Sequence, residues 1–258
     1  MSILTTIEQG ILTLEFDRLD KKNAITAAMY QAMADALRAA DADPAVRVIV
    51  IRGKPEVFTA GNDLEDFMQR PPTAGEGDQP APVFQFLQQI SQASKPLVAA
   101  VSGPAVGVGT TMLLHCDLVY VSETAKLSLP FVQLGLCPEA ASSMLLPRLL
   151  GHQRAAEKLM LGEPFSAQEA LQIGLATRVL PVAELNEFVH QQARKLAALP
   201  ASSLRETKRL MKGGDKAAVQ ARMAEEGEVF RRMLQAPEAK EAFKAFFEKR
   251  RPDFSQFS

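Results

Sequence analysis

The sequence predicts an α/β fold that ends in a run of helices, and three observations lead there. Strands alternate with helices through residue 180. Two apolar strands, residues 46–52 (VRVIVIR) and 97–101, each run into a turn of small residues. Beyond Val182 the pattern is helical to the end, with a break at Gly213-Gly214.

Residues 3–8 and 10–16 alternate apolar and polar around Gln9-Gly10, which predicts a β-hairpin. A loop with the paired Lys21 and Lys22 leads to an amphipathic helix over 26–41. After the strand at 46–52 a short helix, 64–69, breaks at Arg70-Pro71-Pro72. Residues 70–82 (RPPTAGEGDQPAP) lack apolar periodicity and read as a mobile loop or an inert insertion. A helix over 83–94 leads to the strand at 97–101, and further strands are expected at 117–121 and 126–129. Pro138 suits a first helical turn and places Glu139 near a helix start. A helix spans 153–161. Ser166-Ala-Gln-Glu169 fits a capping box for a helix over 167–173 that Gly174 stops. Pro237 opens the last helix, 238–250, with Ala242, Phe243 and Phe246 on its apolar face.

Composition narrows the function. The chain has 258 residues, 47% hydrophobic and 23% charged, with net charge −1, so a general nucleic-acid or membrane-surface binder is not expected. Cys116 and Cys137 have no metal-ligand spacing and read as free thiols in a reducing compartment. His115 lies in an apolar helix and reads as a packed residue. No run approaches a membrane span, no charged-then-apolar leader is present and FSQFS is not a peroxisomal address, so a cytoplasmic setting is expected.

The chemistry is carried by residues 99–117, AAVSGPAVGVGTTMLLHCD. A strand ends at Ser102-Gly103-Pro104, and Gly107-Val108-Gly109 opens a helix. The first N–H groups of a helix have no internal partner, so the turn can hold an anion or an oxygen becoming one. Packing alone would also explain a tight strand-to-helix turn. Residues 57–64, VFTAGNDL, follow the other apolar strand and end in a second small-residue turn. Two strand ends that each offer a free N–H could converge on one oxygen, the layout of an oxyanion hole.

FTAGNDL together with KPLVAAVSGPAVGVG resembles the crotonase (enoyl-CoA hydratase/isomerase) superfamily, over essentially the whole chain. The resemblance implies a spiral of ββα units over residues 1–198 with the acyl-CoA site, and a helical trimerisation region over 199–258. It implies that the amides of Ala60 and Val108 grip the thioester oxygen, with Gly61, Asp63, Leu64 and Gly107 around them. Val108 stands where a glycine is usual, which narrows the space above the turn. KKNAI followed by MY is similar to the Δ3,Δ2-enoyl-CoA isomerase branch and makes Lys22, Ala24 and Ile25 CoA contacts. FFEKR is similar to the terminal segment whose lysine, here Lys249, meets CoA phosphate, often in a neighbouring subunit's site. The alternatives are a loop simply solvated by Lys21 and Lys22, and a basic helix end at Lys249 that complements the dipole.

Family hydratases use two glutamates, and Thr111 and Phe131 occupy the matching positions, so two-carboxylate hydration is not expected. Between Glu123 and Glu157 the only acid is Glu139. LGLCPEAASSMLLPRLLG is similar to the isomerases whose single catalytic glutamate sits there. A carboxylate near a helix start can also serve the dipole alone. A partly dry site would raise its pKa and the helix start would lower it. The expected function is therefore transfer of a 3-enoyl-CoA double bond to the trans-2 position by a single-glutamate shuttle. CoA is part of the substrate, and no metal or separate cofactor is called for. A homotrimer or dimer of trimers is expected. Hydration, another enolate reaction, or a catalytically silent acyl-CoA-binding module are the alternatives. Residues 70–82, Met68, Phe84 and Met112 either shape the acyl pocket or serve ordinary packing.

Overall fold

The computed structural model describes residues 2–69 and 80–257. Most of the loop expected at 70–82 lies outside them. Strands β1 (Ile3–Glu8) and β2 (Ile11–Phe16) form the expected hairpin, with Gln9 and Gly10 both at positive φ as a tight turn requires. Helix α1 (Ala27–Ala42) is capped by the Thr26 hydroxyl, which accepts from the Met29 N–H at 3.3 Å. Thr26→Ala is expected to cost about 1 kcal/mol, read as a lower urea midpoint at unchanged slope. An unchanged midpoint would remove the cap from the account.

Strands β3 (Val48–Arg52) and β4 (Leu97–Val101) follow, separated by the short α2 (Leu64–Gln69) and by α3 (Pro82–Gln92). Next come β5 (Pro104–Val106), α4 (Val108–Thr111) with a 3-10 turn at Met112–His115, β6 (Leu118–Ser122) and β7 (Lys126–Ser128). Helix α5 (Ser142–Leu150) precedes α6 (His152–Ala156), which widens into a π segment at Glu157–Leu161 where an unbroken helix is predicted. Then come β8 (Phe165–Ser166), α7 (Ala167–Gln172), β9 (Arg178–Leu180) and four helices: α8 (Val182–Ala198), α9 (Ala201–Gly213), α10 (Lys216–Leu234) and α11 (Pro237–Phe247).

The strands form two sheets. The larger has the order β1-β2-β3-β4-β6-β9, with β1 antiparallel and the rest parallel. The smaller has the order β5-β7-β8. Successive turns of chain lay one strand in each sheet, β4 then β5 and β6 then β7, so the chain advances as a spiral. Both faces of the large sheet are covered. Ile49, Ile51, Leu97 and Ala99 point into the main core with α1 and α3, and Val48, Val50, Val98 and Ala100 pack with Leu185, Val189 and Ala193 of α8. That double burial is why these strands read as continuous apolar runs.

The C-terminal helices share this core. Phe230, Leu234, Ala239 and Phe243 belong to the main cluster, so residues 199–258 are not cored separately. Phe246 is 58% exposed, so the apolar face of α11 is narrower than its sequence suggests. Ser166 caps α7 by accepting from the Glu169 N–H at 3.1 Å. The Glu169 carboxylate pairs with the buried Lys158 at 2.5 Å, so its role is structural.

Candidate active site

After β3 the chain threads between β5 and the loop at 22–25, and its hydrogen bonds decide which amides stay free. The Phe58 and Thr59 N–H groups donate to the Pro104 carbonyl, and the Val106 N–H donates to that of Thr59. The segment then changes neighbour. The Ala60 N–H donates to the Lys22 carbonyl at 3.0 Å, the Gly61 N–H to the Thr59 hydroxyl at 3.1 Å, and the Asp63 N–H to the Ile25 carbonyl at 2.9 Å. The Asn62 N–H has no acceptor among the described residues. The expectation that Ala60 offers its amide is therefore corrected: Lys22 has taken it, and Asn62, two residues on, carries the free donor. Val108 also keeps a free amide. It is the first residue of α4, and its N–H has no acceptor among the described residues.

Two contacts show how closely the turns converge. A Cβ on Gly61 would lie 2.8 Å from the Val106 carbonyl oxygen, and one on Gly109 would lie 2.5 Å from the Thr59 methyl. Glycine at these positions lets the turns touch. Asn62 and Val108 both line a cleft of about 980 Å³. Lys22, Ala24, Ala60, Gly61, Asp63, Leu64, Gly107 and Phe131, all predicted for the site, line it too.

Three predicted residues do not line the cleft. Ile25 is 2% exposed and packs in the core, because its backbone pairs with the 61–63 turn and turns the side chain inward. Thr111 is fully buried, its hydroxyl 3.4 Å from the Val108 carbonyl, and it lines neither cavity described here. Lys249 is exposed at φ 53, where the chain leaves α11, and the cleft wall is made by Phe246, Phe247, Arg250 and Arg251 instead.

Asn23 and Tyr30 are, with Asn62, residues around this turn that sequence reasoning missed. Asn23 is fully buried at φ 55, and its side-chain amide donates to the Val57 and Phe58 carbonyls at 3.1 Å each. Its side-chain oxygen accepts from the Arg18 N–H, and its carbonyl accepts from the Thr59 hydroxyl. It thus locks the 22–25 loop to the turn. An asparagine beside paired lysines was the available signal, since Asn tolerates the left-handed region. Arg18 adds a 2.6 Å pair with Asp63. The Tyr30 hydroxyl hydrogen-bonds the Asn62 side chain. Burial, and then the charge of Glu139, push that phenol well above its ordinary range.

Glu139 lies in the loop ahead of α5, not in its first turn. Ala140 and Ala141 follow it at φ 60 and 57, left-handed conformations that cost about 1–3 kcal/mol each outside glycine. Its side chain is buried, and Oε1 has no hydrogen-bond partner among the described residues. Burial first and the charge of Glu226 second push its carboxyl up to about 8, against a hydrogen bond from Thr111 that pulls it down. Glu139 lines a second cavity of about 330 Å³ with Phe84, Leu87 and Met223. Phe67 and Phe230, edge-to-face at 6.2 Å, line both cavities. Phe84 thus joins the cavity wall, whereas Met112 is fully buried in the core.

His115 is packed as predicted. Its Nε2 is 2.9 Å from the Ala140 carbonyl and burial pushes its pKa down to about 4, so the ring is neutral and donates there. Cys116 and Cys137 are free, and burial pushes their thiols up to about 12 and about 11. Among the described residues no cluster of His, Cys, Asp and Glu could hold a metal, and no helix is long and apolar enough to cross a membrane.

Comparison with known proteins adds to this geometry. The family profile described as Enoyl-CoA hydratase/isomerase matches residues 6–257. The chain is 38% identical over 226 residues to Enoyl-CoA delta isomerase 2 of Rattus norvegicus, which covers 87% of this chain but 58% of the rat protein. It is 32% identical over 252 residues to 2,3-dehydroadipyl-CoA hydratase of Escherichia coli (strain K12), covering 98% of each. The crystal structure of enoyl-CoA hydratase/isomerase from Pseudoalteromonas atlantica T6c has the same fold, with a TM-score of 0.94 at 42% identity over 99% of this chain and 100% of that one.

Proposed function

The chain belongs to the enoyl-CoA hydratase/isomerase family, and from that premise we propose that it moves the double bond of a 3-enoyl-CoA to the trans-2 position. The observation that carries this reading is Glu139: a buried carboxyl with an unpartnered oxygen in a largely apolar cavity. A carboxyl whose pKa is about 8 both takes and returns a proton near neutral pH.

The thioester oxygen sits on the Asn62 and Val108 amides. Glu139 removes a proton from C2, and the electron pair of that C–H bond spreads through the C3=C4 bond and the carbonyl as a dienolate. The two N–H groups stabilise the negative charge that gathers on oxygen. The same carboxyl then delivers the proton to C4, the double bond settles between C2 and C3, and the glutamate is again ionised. Atoms and electrons balance without a redox partner, and CoA enters only as part of the substrate. Lys21, Lys22, Arg250 and Arg251 line the cleft; Lys21 and Arg250 pair with acids, which leaves Lys22 and Arg251 as the cations available to CoA phosphates.

The likeness to a rat enoyl-CoA delta isomerase supports this chemistry, while the E. coli relative is named as a hydratase, so hydration is the competing reading. Thr111 and Phe131 in place of a second carboxyl favour isomerisation, because neither activates water. The test supplies 3-hexenoyl-CoA and crotonyl-CoA separately and follows products by chromatography. Conversion of the first to the 2-enoyl ester, faster than 3-hydroxyacyl product forms from the second, is expected. Faster hydration would overturn the reading. Binding of both with no product would make the chain a silent acyl-CoA-binding module.

A further inference from the structure

Glu226 takes no part in the chemistry above, yet at 6% exposure it is among the most buried acids of the described chain. It comes from α10, 83 to 87 positions after the loop it meets. Its Oε2 accepts from the Ala141 N–H at 2.6 Å, and its Oε1 accepts from the Ser143 N–H at 3.0 Å and the Ser143 hydroxyl at 2.5 Å. Helix α5 has no side-chain cap of its own, because its capping residue is Ala141. Glu226 supplies that cap from a distance, where the helix dipole favours a negative charge. The segment it holds includes Ala141, one of the two left-handed residues that directly follow Glu139. The neutral His115 ring pins Ala140 from the other side. Both Glu226 and Glu139 line the smaller cavity.

Resting on the single-glutamate reading, we propose that Glu226 is the positioning residue for Glu139. Its carboxylate holds the strained loop that presents Glu139 and keeps a fixed negative charge beside it. Burial raises the Glu226 carboxyl above its ordinary value, while its three donors and the Arg222 charge pull it back down, and its negative charge disfavours ionisation of its neighbour. The groups facing Glu139 are few. Tyr30 approaches from α1, the Thr111 hydroxyl from α4, and Cys137 from the same loop. From α10 come Glu226 and Arg231, the latter stacked on the Phe84 ring, with Arg222 acting on Glu226 itself. The α2 and α3 helices bring Phe67, Phe84, Leu87 and Gln88, none of them titratable.

The test is the pH profile of isomerisation by the full chain. Glu226→Gln keeps the shape and removes the charge. Its midpoint for the rise of kcat is expected to move to lower pH by about 1. Its plateau is expected to fall about tenfold or more as the loop loosens, with KM within about twofold of wild type. Glu226→Asp keeps the charge and shortens the reach, so kcat falls while the midpoint stays. A merely structural role lowers kcat without moving the Gln midpoint, so an unmoved midpoint overturns the inference. If Glu226→Gln does not fold, Glu226→Asp and Ser143→Ala carry the test, each expected to lower kcat several-fold at unchanged KM. Wild-type kcat in both would overturn it. Glu139→Gln separates the two readings. If that variant is active, the proton-carrier reading itself has failed. If it is inactive while Glu226→Gln keeps the wild-type profile, only the positioning role has.

Discussion

Glu139→Gln is expected to lower turnover on a 3-enoyl-CoA by about 10²–10⁴-fold while the folded variant still binds acyl-CoA. The substitution keeps size and shape but leaves no group to accept the C2 proton. The Asn62 and Val108 amides and the cations of the cleft are untouched, so the loss falls on kcat and spares binding. On the proposed mechanism only the ionised carboxyl begins the cycle. Its pKa of about 8 means that kcat/KM rises with pH through that value and levels above it. The same shift acts on stability in a definite direction. Between the ordinary carboxylate value of 4.5 and about 8, the native state keeps a proton that the unfolded chain releases. The native state binds more protons there, so this group's contribution to stability falls as pH rises through the window. The glutamine cannot ionise. The variant's Tm relative to wild type is therefore expected to grow between pH 5 and pH 9, a gain in stability where function is lost. A folded, substrate-binding Glu139→Gln enzyme that isomerises at near wild-type rate would move the base elsewhere.

What the chain concealed is mostly what depends on distant neighbours. The hairpin, α1 and the two central strands were legible from their periodicity: continuous apolar runs report the double burial of β3 and β4, whereas the alternation of β2 understates a burial that is nearly unbroken because both its faces are covered. The small-sheet strands β5 and β8, of 3 and 2 residues, went unread because so short a segment shows no period. The site divides in the same way. The two turns were legible, and so was Glu139, as the lone acid of its segment. Which amide of VFTAGNDL stays free was not, since that depends on the Lys22 and Ile25 carbonyls lying against Ala60 and Asp63, and only the Thr59 hydroxyl that takes the Gly61 N–H comes from the motif itself. Ile25 sits in a motif yet serves the core, because the backbone pairing that helps to shape the turn also turns its side chain inward. Glu226 had no local signal at all. Its partners are Ala141 and Ser143, and the α5 cap it supplies is one that the nearer acid, Glu139, was positioned in sequence to provide.

Gly61→Ala is expected to lower kcat by about 10²–10³-fold, the effect of losing one oxyanion donor. Gly61 stands at φ +86, a conformation that L side chains rarely adopt. Its Cβ would meet the Val106 carbonyl oxygen at 2.8 Å, and backbone cannot swing aside as a side-chain end can. The strain is relieved only by moving the turn, and the next amide on that turn is the free one of Asn62. Displacement of that N–H by even a fraction of an ångström weakens a hydrogen bond whose value lies in being aimed beforehand. Stability is expected to fall too, by about 1–3 kcal/mol, because the Ile25 N–H to Gly61 carbonyl bond at 2.8 Å shares the strain. Gly213→Ala is the control, since a Cβ there meets nothing within 4 Å and the residue closes α9 at ordinary φ. That variant should leave kcat unchanged and hold or raise Tm. The decisive reading is kcat on the 3-enoyl ester for Gly61→Ala at a temperature where it is fully folded. If kcat stays within a few-fold of wild type while Tm drops, the thioester oxygen is not held at Asn62, and the second donor has to be sought at the Gly109 amide, beside Val108.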